Sequence, residues 1–277
     1  MAIGDHRRVK TEDQSVAAGH CIDPGSWQAA FEVLMGRIAG RFGRVEPRRR
    51  VRAFVLGLLS DLPRKNCWTL AEYAGYASPY GLQHLLSRAR WDADAVRDDV
   101  RGFVAENLHH QDAVLVVDET GDWKKGMHTV GVQRQYAGTA GRIENSQVAV
   151  YLAYSTPLGH AAIDRELYVP RSWTEDAARC RAAGIPDAVG FATKPALAAR
   201  MIGRALDAGV FASWVAGHEV YGGNSASRGW CGCLRMSASY RGTDPQSAAR
   251  DSGVIAKNDS SSVLSSQCSW AVPSLGV

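Results

Sequence analysis

The sequence predicts a mixed α/β protein with a helical region in front of it. Apolar residues recur at helical spacing from Trp27 to about residue 108, and β-branched apolar runs take over at Ala113. Both patterns stop near residue 223. A chain of 277 residues is long enough to bury one core or two. With 45% hydrophobic and 22% charged residues it has the make-up of a globular protein. No apolar run reaches the roughly 18 residues of a membrane span. The polar start, MAIGDHRRVKTEDQ, lacks the apolar core of a signal peptide, so the expected location is the cytoplasm.

Residues 1–25 are polar and read as a flexible N-terminus, and residues 26–111 read as a helical domain. From Trp27, Phe31, Leu34, Met35, Ile38 and Phe42 share one helical face, which Gly40 and Gly43 weaken at its end. A second helix follows Pro47, a residue suited to a first turn. Val51, Phe54, Val55, Leu58 and Leu59 form its apolar side, and Arg48, Arg49, Arg50 and Arg52 its other side. Short helices are predicted over residues 69–74 and 79–90, with Ser78 as cap of the latter. A helix, a tight turn and a helix carrying His84, Arg88 and Arg90 match a helix-turn-helix reader, though any small helical domain gives the same pattern. Another helix covers residues 93–108.

Residues 113–117 (AVLVV) form a short β-branched run typical of a buried strand. Further strands are predicted over residues 129–136, 147–154 and 160–168, as an antiparallel meander extending the first. A helix over residues 195–208, with Leu197, Met201, Ile202 and Leu206 inward, precedes a last strand at residues 211–216. The tail, residues 224–277, differs in kind: thirteen of its 54 residues are serine, against nine in the first 223, and no glutamate follows Glu219. Such a segment buries too little apolar surface to fold alone, so the expectation is disorder or out-of-frame translation.

The net charge of +4 is mild, but between Arg37 and Lys65 stand nine basic residues and two acidic ones, Glu46 and Asp61. This cluster suits phosphate neutralisation, and equally a solvated helix face. The six cysteines show no disulfide framework, and Cys231 and Cys233 are spaced too closely for a zinc knuckle. Asp118, in VVDETGD, is placed at the C-terminal end of the first strand, where a rigid strand holds a carboxylate and the adjoining loop leaves it accessible.

Several ordered segments together resemble the DDE transposases of bacterial insertion sequences. They are FEVLMGRIAGRFGRVEPRRRVRAFVLGLLSDLPRKNCWTLAEYAG, VVDETGDWKKG, HTVGVQRQYAGTAGRIENSQVAVYLAY, LYVPRSW, GIPDAVGFATKPALA and WVAGHEVYG, spanning about residues 31–223. The resemblance implies a helical DNA-binding region at residues 26–111 and a partial ribonuclease-H-like catalytic domain at residues 112–223. It also implies DNA cleavage and strand transfer with Mg²⁺ as cofactor, two ions serving the phosphoryl transfer. The implied partner is DNA (element ends and target) in the nucleoid, with a homodimer possible and no membrane.

Hard Mg²⁺ takes oxygen ligands, so three carboxylates must converge. Asp118 matches the first by resemblance, as catalytic residue and metal ligand. The second is expected where family members read G-D-E-V-Y-G; here the text is Gly217-His218-Glu219-Val220-Tyr221-Gly222. Imidazole is a poor Mg²⁺ ligand, and Glu219 can substitute only if the strand has already ended. The third, a glutamate on a later helix, has no counterpart; Asp244, Asp251 and Asp259 stand in the tail without a matching motif. The resemblance therefore implies a transposase copy defective in cleavage.

Arg134, Arg142, Arg171 and Lys194 are candidate phosphate contacts or sheet-edge charges. Lys124 and Lys125 are candidate DNA contacts in the turn after the catalytic strand. Two alternatives remain. One is a DNA-binding remnant that recognises element ends without cutting. The other is an aspartate-based phosphotransferase, because Asp118-Glu-Thr-Gly is similar to the Asp-Lys-Thr-Gly of haloacid-dehalogenase-type enzymes. It lacks the lysine, and a meander does not fit a doubly wound parallel sheet.

Overall fold

The computed structural model describes residues 23–137, 141–222 and 235–238. Five helices come first: α1 (Pro24–Ala39), α2 (Val45–Leu59), α3 (Cys67–Tyr73), α4 (Tyr80–Ser87) and α5 (Ala93–Asn107). Their starts follow from local chemistry. Asp23 caps α1 by accepting from the Gly25 and Ser26 amides, with Pro24 in the first turn. Asn66 and Thr69 form a reciprocal capping box that starts α3 ahead of the predicted residue 69. Asp92 caps α5. Ser78 does not cap α4: Pro79 takes the cap position without a side-chain bond, its backbone already helical.

Phe31, Met35, Ile38, Phe42 and Leu85 make one small core, and Leu70, Ala71 and Leu82 a second beside it. The ion pairs Arg37–Glu106 and Arg41–Asp99 fasten α1 and the turn that follows it to α5. Each arginine holds its partner carboxyl below the usual range, chiefly through the direct hydrogen bond.

The sheet domain follows, with strands β1 (Val114–Trp123), β2 (Gln133–Ala137), β3 (Arg142–Thr156) and β4 (Gly159–Leu167). Then come α6 (Arg171–Thr174), α7 (Ala177–Ala182), α8 (Lys194–Asp207), β5 (Trp214–Gly217), α9 (Glu219–Gly222) and β6 (Arg235–Ala238). The sheet order is β2-β3-β1-β5-β6, with β4 pairing β3 beyond β2. The meander is present, but it joins the first strand through its middle member: β1 pairs β3 antiparallel, not β2. β3 is long enough to serve all three neighbours.

Only one face of β1 is committed to a core. Leu115 and Val117, with Val150, Leu152 and Tyr154 of β3, pack under Leu197, Met201 and Ala205 of α8 and Val104 of α5. Each such side chain contributes about 1.5–3 kcal/mol when fully buried. Val114, Val116, Ala149, Tyr151 and Ala153 alternate with them and are half-buried. The core also holds a charge: Asp164 of β4, its side chain 0% exposed, meets Arg204 of α8 at 3.0 Å and Arg97 and Arg101 of α5 at 3.5 and 3.8 Å. Among the described residues, no helix is long and apolar enough to cross a membrane. The tail expectation falls outside the described residues except at β6, which pairs parallel with β5.

Candidate active site

Asp118 is not at the end of its strand. β1 continues through Asp118-Glu-Thr-Gly-Asp-Trp123 because β3 pairs with it residue by residue out to Trp123↔Ser146. What stops near Asp118 is the other neighbour. β5 runs parallel to β1 from Val114↔Trp214 to Val117↔Gly217 and then ends. Asp118 and His218 are the residues that follow this last pair on either chain, at the margin where β5 ends. Both are exposed. The two positions picked from sequence, a hundred residues apart along the chain, thus each follow the last pair of the β1–β5 ladder.

Asp118 shares its face with Val114 and Val116 and sits directly across from Tyr151 of β3. Burial raises the Tyr151 hydroxyl above the usual phenol range, so it stays protonated. Asp118 Oδ1 accepts the Glu119 amide at 2.8 Å, leaving the rest of the carboxylate to solvent.

Glu119, one residue on, turns to the opposite face. Its Oε1 takes Lys194 Nζ at 2.7 Å, and its Oε2 accepts the Tyr221 hydroxyl. Lys194 is the first residue of α8, and Tyr221, only 4% exposed, lies in α9. Burial first, then the neighbouring Glu119 and Asp118 carboxylates, push the Tyr221 hydroxyl far above the ordinary phenol range. It therefore remains a donor. The effect is a clamp: one carboxylate ties β1 to the start of α8 and to the turn that follows β5.

Glu219 opens α9, so β5 has already ended there, which is the condition set for its substitution; its side chain lies outside the described residues. Asp244, Asp251 and Asp259 also lie outside them. Among the described residues, no group of three or more His, Cys, Asp or Glu is arranged to hold a metal ion.

The basic candidates meet different ends. Arg48 donates to the Phe42 carbonyl at 2.8 Å, and Arg52 pairs with Glu32 while stacking over Phe31. Arg50 lies against the first turn of α4, since a Cβ on Gly81 would come within 2.9 Å of its Nε. Arg49 is exposed and has no partner among the described residues. Lys124 pairs with Asp122 and Arg142 with Glu144, while Lys125 and Arg134 have no ion pair there. Arg171 covers the Phe191 ring at 4.7 Å. Most of these side chains therefore hold the fold together.

Sequence reasoning missed Glu119, Tyr151 and Tyr221, and read Lys194 only as a possible phosphate contact. A period-two reading carried past residue 117 would have found Glu119 on the buried face with Leu115 and Val117. The pairing with Tyr221 left no local signal, because it depends on where β5 docks.

The sequence profile of the DDE superfamily endonuclease family matches residues 37–230. A protein described as a probable transposase for insertion sequence element IS701, from Microchaete diplosiphon, is 32% identical over 168 residues, which is 60% of this chain and 41% of that protein. The chain thus spans about two fifths of that relative's length. With most of its residues matched, the chain belongs to the DDE superfamily endonuclease family.

Proposed function

We propose that this chain is an insertion-sequence transposase copy that binds DNA but does not cut or join it. The observation that supports this reading is that the β1–β5 pairing ends at Val117↔Gly217, and the residue that follows on β5 is His218, not a carboxylate. Among the described side chains, the donors do not fit Mg²⁺. Asp118 offers one open carboxylate, His218 a nitrogen that hard Mg²⁺ takes poorly, and Glu119 is occupied by Lys194 and Tyr221. No cleavage step is therefore assigned to these residues.

DNA binding is supported by family membership, by the IS701 relative and by the basic helical region ahead of the sheet. The test pairs two assays on the full chain. The protein should retard duplex DNA in a gel at low salt. It should nick supercoiled plasmid in Mg²⁺ no faster than Asp118→Asn does. Nicking above that background, abolished by Asp118→Asn, would overturn the defect. Failure to retard any DNA would overturn the binding.

A further inference from the structure

Helix α4 is held from one side and left open on the other. Leu82 and Leu85 are buried, Leu82 beside Leu70 and Ala71 of α3, Leu85 among Phe31, Met35 and Ile38 of α1. Arg50 of α2 rests on its first turn at Gly81. The opposite face presents Tyr80, Gln83, His84 and Ser87, and Arg88 follows as the residue that ends the helix, all exposed. Ser87 bonds back to the Gln83 carbonyl. The side chains of Tyr80, Gln83, His84 and Arg88 have no partner among the described residues.

A solvated face of a small domain is usually charged and mixed in sign. This one is a row of long, hydrogen-bonding side chains with little acid near it. Residues 64–90 hold Arg64, Lys65, Arg88 and Arg90 against a single acidic residue, Glu72. Arg49 adds an uncommitted cation from α2. α3 precedes α4 across a short turn in which Gly75 takes a left-handed φ of 73°. A helix fixed by its neighbours, with its free face projecting amide, imidazole and guanidinium groups, is the shape that enters a major groove. Gln and Arg are the side chains whose paired donors and acceptors match adenine and guanine edges there. The surrounding cations suit the phosphates on either side.

We propose that α4 is the base-reading helix of this chain, placed in the major groove of double-stranded DNA, with Gln83 and Arg88 as its specificity-determining residues. The assignment rests on the DNA-binding reading above and goes beyond it by naming the element and the side chains that read sequence.

The experiment is selection of the full chain against a randomised duplex pool, followed by affinity measurements on the selected and unselected duplexes at several salt concentrations. Wild type should enrich a defined motif. The Gln83→Ala/Arg88→Ala variant should lose on the order of 10- to 100-fold in affinity for that motif and far less for unselected duplex, where only the charge of Arg88 is missed. Both substitutions are on exposed positions, so an unchanged circular dichroism melt verifies that the domain is intact. Equal affinity of variant and wild type for the motif would overturn the proposal and leave DNA binding standing. Salt-sensitive binding by wild type without any enriched motif would do the same. No binding of wild type to any duplex would overturn both. A variant that sediments as a smaller species than wild type would make this face a contact between two copies, and would also overturn the proposal.

Discussion

The two faces of β1 treat neighbouring acids in opposite ways. Glu119 looks into the protein, and both of its oxygens are taken, one by a lysine and one by a buried tyrosine. Asp118 looks out, with a single bond from the next amide. The strand imposes this division, because its side chains alternate. An acid on the inner face becomes a structural tie, while one on the outer face stays available for chemistry. Having two acids in DET therefore does not give two ligands for a cation. The second has to come from elsewhere in the chain, and the residue that follows β5 is a histidine.

Substitutions on the two faces should differ by several kcal/mol in stability. The largest effect belongs to Asp164→Ala on the inner face, which strips the buried carboxylate from between Arg97, Arg101 and Arg204 and leaves them only the more exposed Asp94, Asp98 and Glu166. A loss of about 3–5 kcal/mol is expected in urea unfolding; a loss below about 1 kcal/mol would mean that water already compensates these arginines. Next comes Lys194→Met, which keeps the packing of the stem and removes the charge on Glu119. It should cost about 1–3 kcal/mol, and an unchanged midpoint would show that the clamp carries no load.

A third effect is local and depends on pH. Asp99 and Glu106 have folded values below their unfolded ones, which are near 4. Their contribution is present above that value and is lost as pH falls through the lower, folded one. Hydrogen exchange corrected for intrinsic rate should show α1 losing protection below about pH 4 while α8 keeps it. Simultaneous loss in both helices would contradict a role for these pairs in docking α1. The smallest effect is expected for Asp118→Asn on the outer face, within about 0.5 kcal/mol. A larger loss would mean that Asp118 is structural after all.

Much of this division was legible before the fold was known. The AVLVV run and the helical face at Leu197, Met201 and Ile202 follow from periodicity, since each pattern reports a buried face directly, whereas Asp118, expected at a strand end, stands in the middle of a longer strand. β1 came out too short because Asp118-Glu-Thr-Gly-Asp is polar and read as loop; only pairing with the long β3 holds it extended. α6 and α7 escaped because each is scarcely more than a turn and is secured by Trp173, whose indole donates to the Val132 carbonyl at 2.8 Å. The roles of Arg48 and Arg52 were equally hidden, since a guanidinium bound for a carbonyl or a carboxylate looks in sequence like one bound for phosphate.

The parallel joining of β1 to β5 also has a consequence in time. β1, β2, β3 and β4 are linked by short connections, so their antiparallel pairings can form early, as the chain leaves the ribosome. Val114 meets Trp214 only after the meander, the two short helices and α8 have all been made. The closing of so long a loop makes this the later of the two pairings that β1 enters. Until then one edge of β1 stands unpaired beside the apolar residues that will form the core, and is open to a strand from another chain. The nascent protein is thus most exposed to misassembly along the edge of β1 that leads to Asp118.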